Sequence, residues 1–307
     1  MTPARQGYLF AVGAYLSWGL FPIYWKLLRP ASAIELLAHR VVWSAVFVAV
    51  LVTVLRDWRR IAELTRRPNK IALVGLAAAV IAVNWGTYIY GVNADRVVET
   101  SLGYFINPLV TVLLGVLVLH ERLRSAQWAA LGVATVAVGV LTFDYGHPPY
   151  IALVLAGTFA LYGLVKKRLA VPATDGLLLE SAALALPAAL YLVVLSASGT
   201  AMVGGVSAGH TLLTVASGVI TAIPLLLFAG AANRIPLSAI GLLQYLAPVL
   251  QLGTGVLIFH EPMPPVRLVG FALVWLALAI FAADGIRQAR SARRAAERQP
   301  APAAVTA

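Results

Sequence analysis

The chain contains no cysteine and carries little charge. With no cysteine there is no disulfide framework, no thiolate metal site and no cysteine nucleophile. Only 11% of its 307 residues are charged, against about 25% in soluble domains. A soluble protein of this length needs far more polar surface to cover its core, so lipid must be most of its solvent. Carboxylates are the scarcest charges, with 12 Asp and Glu against 23 Lys and Arg. No phosphate loop of the G-x-x-x-x-G-K-[ST] kind and no H-E-x-x-H pair occurs. No soluble stretch is long enough to form a catalytic or nucleic-acid-binding domain. An energy source on this reading is a gradient or the substrate itself, and no cofactor is expected.

What the chain does have is apolar sequence, 61% of all residues. A hydrocarbon core ~30 Å thick needs roughly 20 such residues in a helix. Ten runs of about that length lie near 7–28, 35–55, 71–92, 98–119, 125–142, 149–165, 177–196, 211–232, 236–259 and 265–284. They predict an all-α membrane protein with ten transmembrane helices. The first run has only Arg5 before it and no small-x-small cleavage site, so it reads as a retained helix. With the N-terminus inside, 18 of the 23 Lys and Arg fall on the inner side, including Arg59, Arg60, Arg66, Arg67 and Lys166. That bias sets both termini in the cytoplasm. The net charge of +11 is therefore topology information and not a nucleic-acid signal. Residues 286–307 read as a basic, disordered cytoplasmic tail resting on anionic lipid.

The chain also repeats itself. A shift of 140 residues brings Pro108, Gly115, Val116, Leu117, His120 and Glu121 onto Pro248, Gly255, Val256, Leu257, His260 and Glu261, and Asn93 onto Asn233. A proline, a glycine and a His-Glu pair in register are hard to obtain by chance. Residues 1–145 and 146–285 then form two five-helix copies. Five is odd, so the second copy enters the membrane from the opposite side. Inverted-topology repeats of this kind place a central site near the bilayer midplane and suit alternating access.

Polar residues inside the spans need an account, because a charge at mid-helix costs ~2.5–3.5 kcal/mol on insertion scales. In the second span Glu35, His39 and Trp43 are spaced by four and share a face. Arg40 either pairs with Glu35 or a loop carboxylate, or snorkels outward, or lines a cavity as an anion- or dipole-binding group. Glu180 falls opposite Arg40 under the 140-residue shift. Glu35, His39 and Glu180 are the protonatable groups available for coupling. Asn84 and Tyr88 share a face of the third span, as interhelical glue or cavity wall. Tyr104 and Thr111 lie two turns apart in the fourth span, with Asn107 between, and Gln244 and Gln251 are their counterparts in the ninth. Pro108 and Pro248 each free a carbonyl and can bend their helices. Two kinked helices with matching polar faces are what a central cavity needs. Trp18 reads as a packing or cavity-wall residue. Tyr24, Trp43, Trp85 and Tyr162 read as interface anchors or cavity walls. The two His-Glu pairs face opposite sides of the membrane and cannot share a metal, so they read as helix-ending turns.

Several runs carry a resemblance. Glu35-Leu-Leu-Ala-His-Arg40, Asn84-Trp-Gly86, Ser101-Leu-Gly-Tyr-Phe-Ile-Asn-Pro108 and Tyr162-Gly-Leu-Val-Lys-Lys-Arg168 resemble the RarD group of the EamA branch, within the drug/metabolite transporter superfamily. The resemblance covers roughly residues 5–290. It implies two inverted five-helix repeats and a permease in the bacterial cytoplasmic (inner) membrane. Members of the group are commonly labelled chloramphenicol-sensitive proteins, and much of the EamA branch exports amino acids and related metabolites. The resemblance implies no catalytic residue. In the second copy Leu242-Leu-Gln-Tyr-Leu-Ala-Pro248 lacks a counterpart of Asn107, so the two halves differ in chemistry. The expected partners are a small-molecule substrate, such as an amino acid or related metabolite, and the lipid bilayer, with no nucleic acid and no obligate protein. A channel or lipid-handling protein, and a membrane enzyme using Glu35 and His39, are the competing readings.

Overall fold

A computed structural model describes residues 2–55, 58–119, 123–169, 171–232, 234–235 and 243–298. Among these residues every regular element is helical. The helices are α1 (Pro3–Leu27), α2 (Ala33–Leu55), α3 (Trp58–Thr65), α4 (Pro68–Asn93), α5 (Val97–Leu119), α6 (Ser125–Tyr145), α7 (Tyr150–Leu169), α8 (Ala173–Ala197), α9 (Ala208–Ala232), α10 (Leu246–Gly253) and α11 (Pro265–Arg298). α10 continues into a π-helical turn over Thr254–Ile258. Seven of them, α2, α4, α5, α6, α8, α9 and α11, contain stretches long and apolar enough to cross a membrane.

Local chemistry sets the helix limits. Thr2 Oγ1 accepts the Arg5 N–H at 3.4 Å, and Pro3 opens α1 where a missing N–H costs nothing. The Gln127 side chain accepts the Arg124 N–H at 3.0 Å at the start of α6. α6 ends on Gly146 at φ +70°, the left-handed conformation that stops a helix cleanly. On α2 the buried stripe runs Leu36, Arg40, Ser44, Val48, Val52, every fourth residue.

The described residues form two compact units. The first comprises residues 1–111 and 150–262. In it α2 packs along α8 and α9, α4 along α7, and α1 along α9 and α10. Two glycines permit these approaches. A Cβ on Gly218 would stand 2.3 Å from the backbone carbon of Trp43, and one on Gly103 would stand 2.9 Å from the carbonyl oxygen of Ala152. Backbone contact between helices of this kind is the way small residues pack spans in lipid. The second unit comprises residues 112–149 and 263–307, and in it α6 lies along α11. Arg267 Nε donates to Asp144 Oδ2 at 2.7 Å, and Arg124 Nε donates to Asp284 Oδ2 at 2.9 Å. Asp144 and Asp284 are 140 residues apart.

Buried carboxylates anchor other elements. Glu261 accepts the Val97 and Val98 N–H groups at 2.6 and 2.7 Å, satisfying the open N-terminus of α5. Glu99 Oε1 accepts the Ile151 N–H at 2.9 Å at the start of α7. Glu35 Oε1 accepts the Met202 and Val203 N–H groups, both at 2.9 Å. Asp175, fully buried, accepts from Arg60 Nη2 at 2.8 Å.

Two features depart from the expectations. α3, a short amphipathic helix burying Ile61, stands where a charged loop is expected between the second and third spans. The expected ninth span is not one helix over its described part. Leu243 is helical, Gln244 and Tyr245 form a turn and α10 begins at Leu246, so Gln244 lies in the turn and does not share a helical face with Gln251. Pro248, two residues inside α10, cannot donate to the carbonyl of Gln244, which removes one tie across that turn. Residues 236–242 and the pair His120–Glu121 lie outside the described residues. The other pair turns the chain as expected, with His260 at φ +56° and Glu261 on α5.

Candidate functional site

Arg40 is the centre of the site. It lies on the buried stripe of α2 and is 4% exposed. The expected pairing with Glu35 does not form. Five residues on a helix are about 140° apart around the axis, and Glu35 is spent on the Met202–Val203 backbone. Arg40 instead sits among rings. Its guanidinium carbon is 3.9 Å from the Trp85 ring centroid, 5.3 Å from Trp25 and 5.9 Å from Phe21. The phenols of Tyr24, Tyr88 and Tyr104 lie within electrostatic reach. Ring faces attract the cation by ~0.5–2 kcal/mol each, but they accept no hydrogen bond in its plane. Arg40 Nε is buried and without an acceptor, as are the Trp25 Nε1 and Tyr88 hydroxyl donors.

A ladder of rings leaves this cluster. Tyr88 meets Tyr104 at 5.8 Å, Tyr104 meets Phe159 at 6.1 Å, and Phe159 meets Tyr162 at 6.3 Å. At its far end the Tyr162 hydroxyl donates to Glu180 Oε2 at 2.8 Å, and Lys166 Nζ donates to Oε1 at 2.7 Å. Arg40 and Glu180, equivalent under the 140-residue shift, thus stand at the two ends of one aromatic path. Glu180 is ion-paired with Lys166, and Arg40 has no ion pair among the described residues.

The other candidates fall outside this cluster or on its edge. Asn84 Nδ2 donates to the Leu155 carbonyl at 3.0 Å and to Thr158 Oγ1 at 2.9 Å, tying α4 to α7. Trp18 belongs to a second group of rings with Tyr15 and Phe228, and its carbonyl accepts from Gln251 Nε2 at 3.0 Å. The oxygens Asn107 Oδ1 and Gln251 Oε1 are buried without a donor, as is His39 Nδ1 without a partner. Thr111 is exposed and returns its hydroxyl to the Asn107 carbonyl at 2.9 Å, so it lines no polar interior. Phe21 and Trp25 were not singled out from the sequence. Their spacing of four on α1, matching that of Tyr88 with Asn84 on α4, is the signal that could have found them.

The run Gly205-Val-Ser-Ala-Gly209 has the letters of a nucleophile elbow. Ser207 serves a different end there, its Oγ accepting the His210 N–H at 3.1 Å as the cap of α9. Seven helices long and apolar enough to cross a membrane mark a multi-pass membrane protein. The EamA-like transporter family matches residues 5–143. Protein RarD of Streptomyces exfoliatus is 55% identical over 289 residues, covering 94% of this chain and 92% of that one. An uncharacterized transporter of Vibrio cholerae is 42% identical over 299 residues, covering 96% and 99%. A solved crystal structure shares the fold with TM-score 0.58 at 20% identity, covering 92% of this chain and 99% of that one. The chain belongs to the RarD group of the EamA-like transporter family.

Proposed function

We propose that this chain is a secondary transporter that moves a small organic solute across the bacterial cytoplasmic membrane. Ten spans in two oppositely threaded five-helix copies would alternate access to a polar interior, with both termini inside. The observation that carries this reading is the recurrence of the 140-residue register among tertiary partners. Asp144, near the end of α6, accepts from Arg267 of α11, and Asp284 of α11 accepts from Arg124 just ahead of α6. Glu35 and Asp175, also 140 apart, each hold the connection that follows the opposite copy's second span, through Met202–Val203 and through Arg60 respectively. A sequence repeat that reappears in the contacts is what a duplicated, inverted unit requires. The side assignments agree as well. The ion pairs Lys166–Glu180, Arg60–Asp175 and Arg29–Asp95 each join residues that the Lys and Arg bias assigns to one face.

The test is solute flux. Full-length protein in sealed liposomes, screened with labelled amino acids, related metabolites and chloramphenicol, should give saturable counterflow of at least one solute. Absence of carrier-type flux across the panel, with the protein folded, or ion currents in a planar bilayer, would contradict it.

A further inference from the structure

We infer that the Arg40 cluster is a receptor for the carboxylate of an organic monoanion. The inference rests on the transporter reading and names the chemistry of its cargo. Arg40 is buried and cationic, and among the described residues it has no ion-pair or hydrogen-bond partner. The buried carboxylates among the described residues are engaged elsewhere: Glu35 on Met202 and Val203, Glu99 on Ile151, Asp175 on Arg60, Glu180 on Lys166, and Glu261 on Val97 and Val98. A buried charge without a counter-charge is costly in lipid, and a bound anion would offset that cost.

The geometry selects among anions. The Trp85 ring centroid lies 3.9 Å from the guanidinium carbon, and the Nε on the edge of the group is buried without an acceptor among the described residues. That edge is a planar fork of N–H donors, which matches a carboxylate in two parallel hydrogen bonds. The nearby unmet groups are donors too, Trp25 Nε1 and the Tyr88 hydroxyl. An acceptor-only group satisfies all three, whereas an amide or alcohol would bring donors of its own. One cation balances one negative charge. A phosphate dianion would leave a second charge buried and unpaired. The walls formed by Phe21, Trp25, Trp85 and Tyr104 suit an apolar or aromatic body beside the carboxylate.

Full-length protein in lipid nanodiscs, titrated with phenylacetate, indole-3-acetate and their neutral amides, tests this, with chloride and inorganic phosphate as competitors. At least one acid should bind saturably, and its amide should bind ~10–100-fold more weakly, as loss of a charged hydrogen-bond pair implies. Neither chloride nor phosphate should displace the acid at equal concentration. Arg40→Gln should abolish the preference for acid over amide, with an unliganded unfolding midpoint no lower than that of the parent. Should Arg40→Gln fail to fold, Arg40→Lys keeps the charge, loses the fork and should weaken the acid ~10-fold while sparing the amide. Equal affinity for acid and amide, no binding across the panel, or displacement by chloride alone would overturn the inference. Liposome flux separates it from the transporter reading. Saturable flux of neutral solutes that ignores carboxylates and Arg40→Gln keeps the transporter and removes the receptor. Arg40-dependent carboxylate binding without flux does the reverse.

Discussion

Asp144 and Asp284 stand 140 residues apart and close the two ends of one helix pair. Asp144 accepts from Arg267 at the start of α11, and Asp284 accepts from Arg124 just ahead of α6. The two helices run antiparallel, so each aspartate meets an arginine at the opposite end of the other helix. The ends are not equally buried. Asp144 and Arg267 side chains are 8% and 14% exposed, while Arg124 is 42% exposed.

Asp144→Asn should therefore cost more than Asp284→Asn. Breaking a buried pair costs ~3–5 kcal/mol, whereas exposed pairs are worth ~0.2–1 kcal/mol. Unfolding midpoints in detergent would rank the two. Equal losses would mean that the burial difference does not matter in the membrane-bound protein.

Glu261 supplies both acceptors for the first two amides of α5. Glu261→Ala should leave these buried N–H groups open, at ~1–3 kcal/mol, and speed hydrogen exchange at Val97 and Val98 while leaving mid-helix amides of α5 unchanged. Uniform acceleration along α5 would assign Glu261 a different role.

At Gly218 even one methyl meets the Trp43 and Ser44 backbone, whereas nothing lies within 4 Å of a Cβ on Gly132. Gly218→Ala should cost several kcal/mol, on the order of the largest single-site losses, and Gly132→Ala should be neutral or slightly stabilising, since alanine is the better helix former. A folded, parent-like Gly218→Ala would show that α2 and α9 do not cross there.

Glu180 accepts from both Lys166 and Tyr162. Lys166→Met should leave its carboxylate buried without a counter-charge and destabilise by ~3–5 kcal/mol. Adding Glu180→Gln should restore most of that loss. Additive losses in the double variant would show that the pair is not coupled.

Asp95, in the turn between α4 and α5, is held below the usual carboxylate range by hydrogen bonding from Lys26, with Arg29 adding to it. A depressed pKa in the fold means that the contribution is present at neutral pH and fades as pH falls through the acid range. The group is well exposed, so the effect is small, within ~0.2–1 kcal/mol. The gap in unfolding midpoint between the parent and Asp95→Asn should hold down to about pH 5 and shrink as pH falls below about 4, and a gap that widens there would reverse the sign.

How far these relationships can be read in the sequence depends on their range. The apolar runs that become α2, α4 and α11 are legible because each carries its own signal of length and composition. The equivalence of Asp144 with Asp284 is legible only as spacing, since nothing local says that each meets an arginine of the other helix. Arg40 is recognisable as an oddity from its place in an apolar run. Its partners are not, because Phe21, Trp25 and Trp85 come from other helices and look like ordinary aromatic residues. Glu35 shows the limit most clearly. Its spacing to His39 suggests a local role, but its acceptor serves backbone amides 167 residues away. α3 escapes because eight residues with few apolar side chains resemble a loop. The break before α10 escapes because a proline after the first turn is equally compatible with a bent helix.

The absence of cysteine makes the most direct test straightforward, because any introduced thiol is unique. Arg66 and Val206 occupy equivalent positions under the 140-residue shift, and both are exposed. In intact cells a membrane-impermeant maleimide should label Val206→Cys, and should label Arg66→Cys only after permeabilisation. Labelling of both from the same side would contradict two copies threaded in opposite senses.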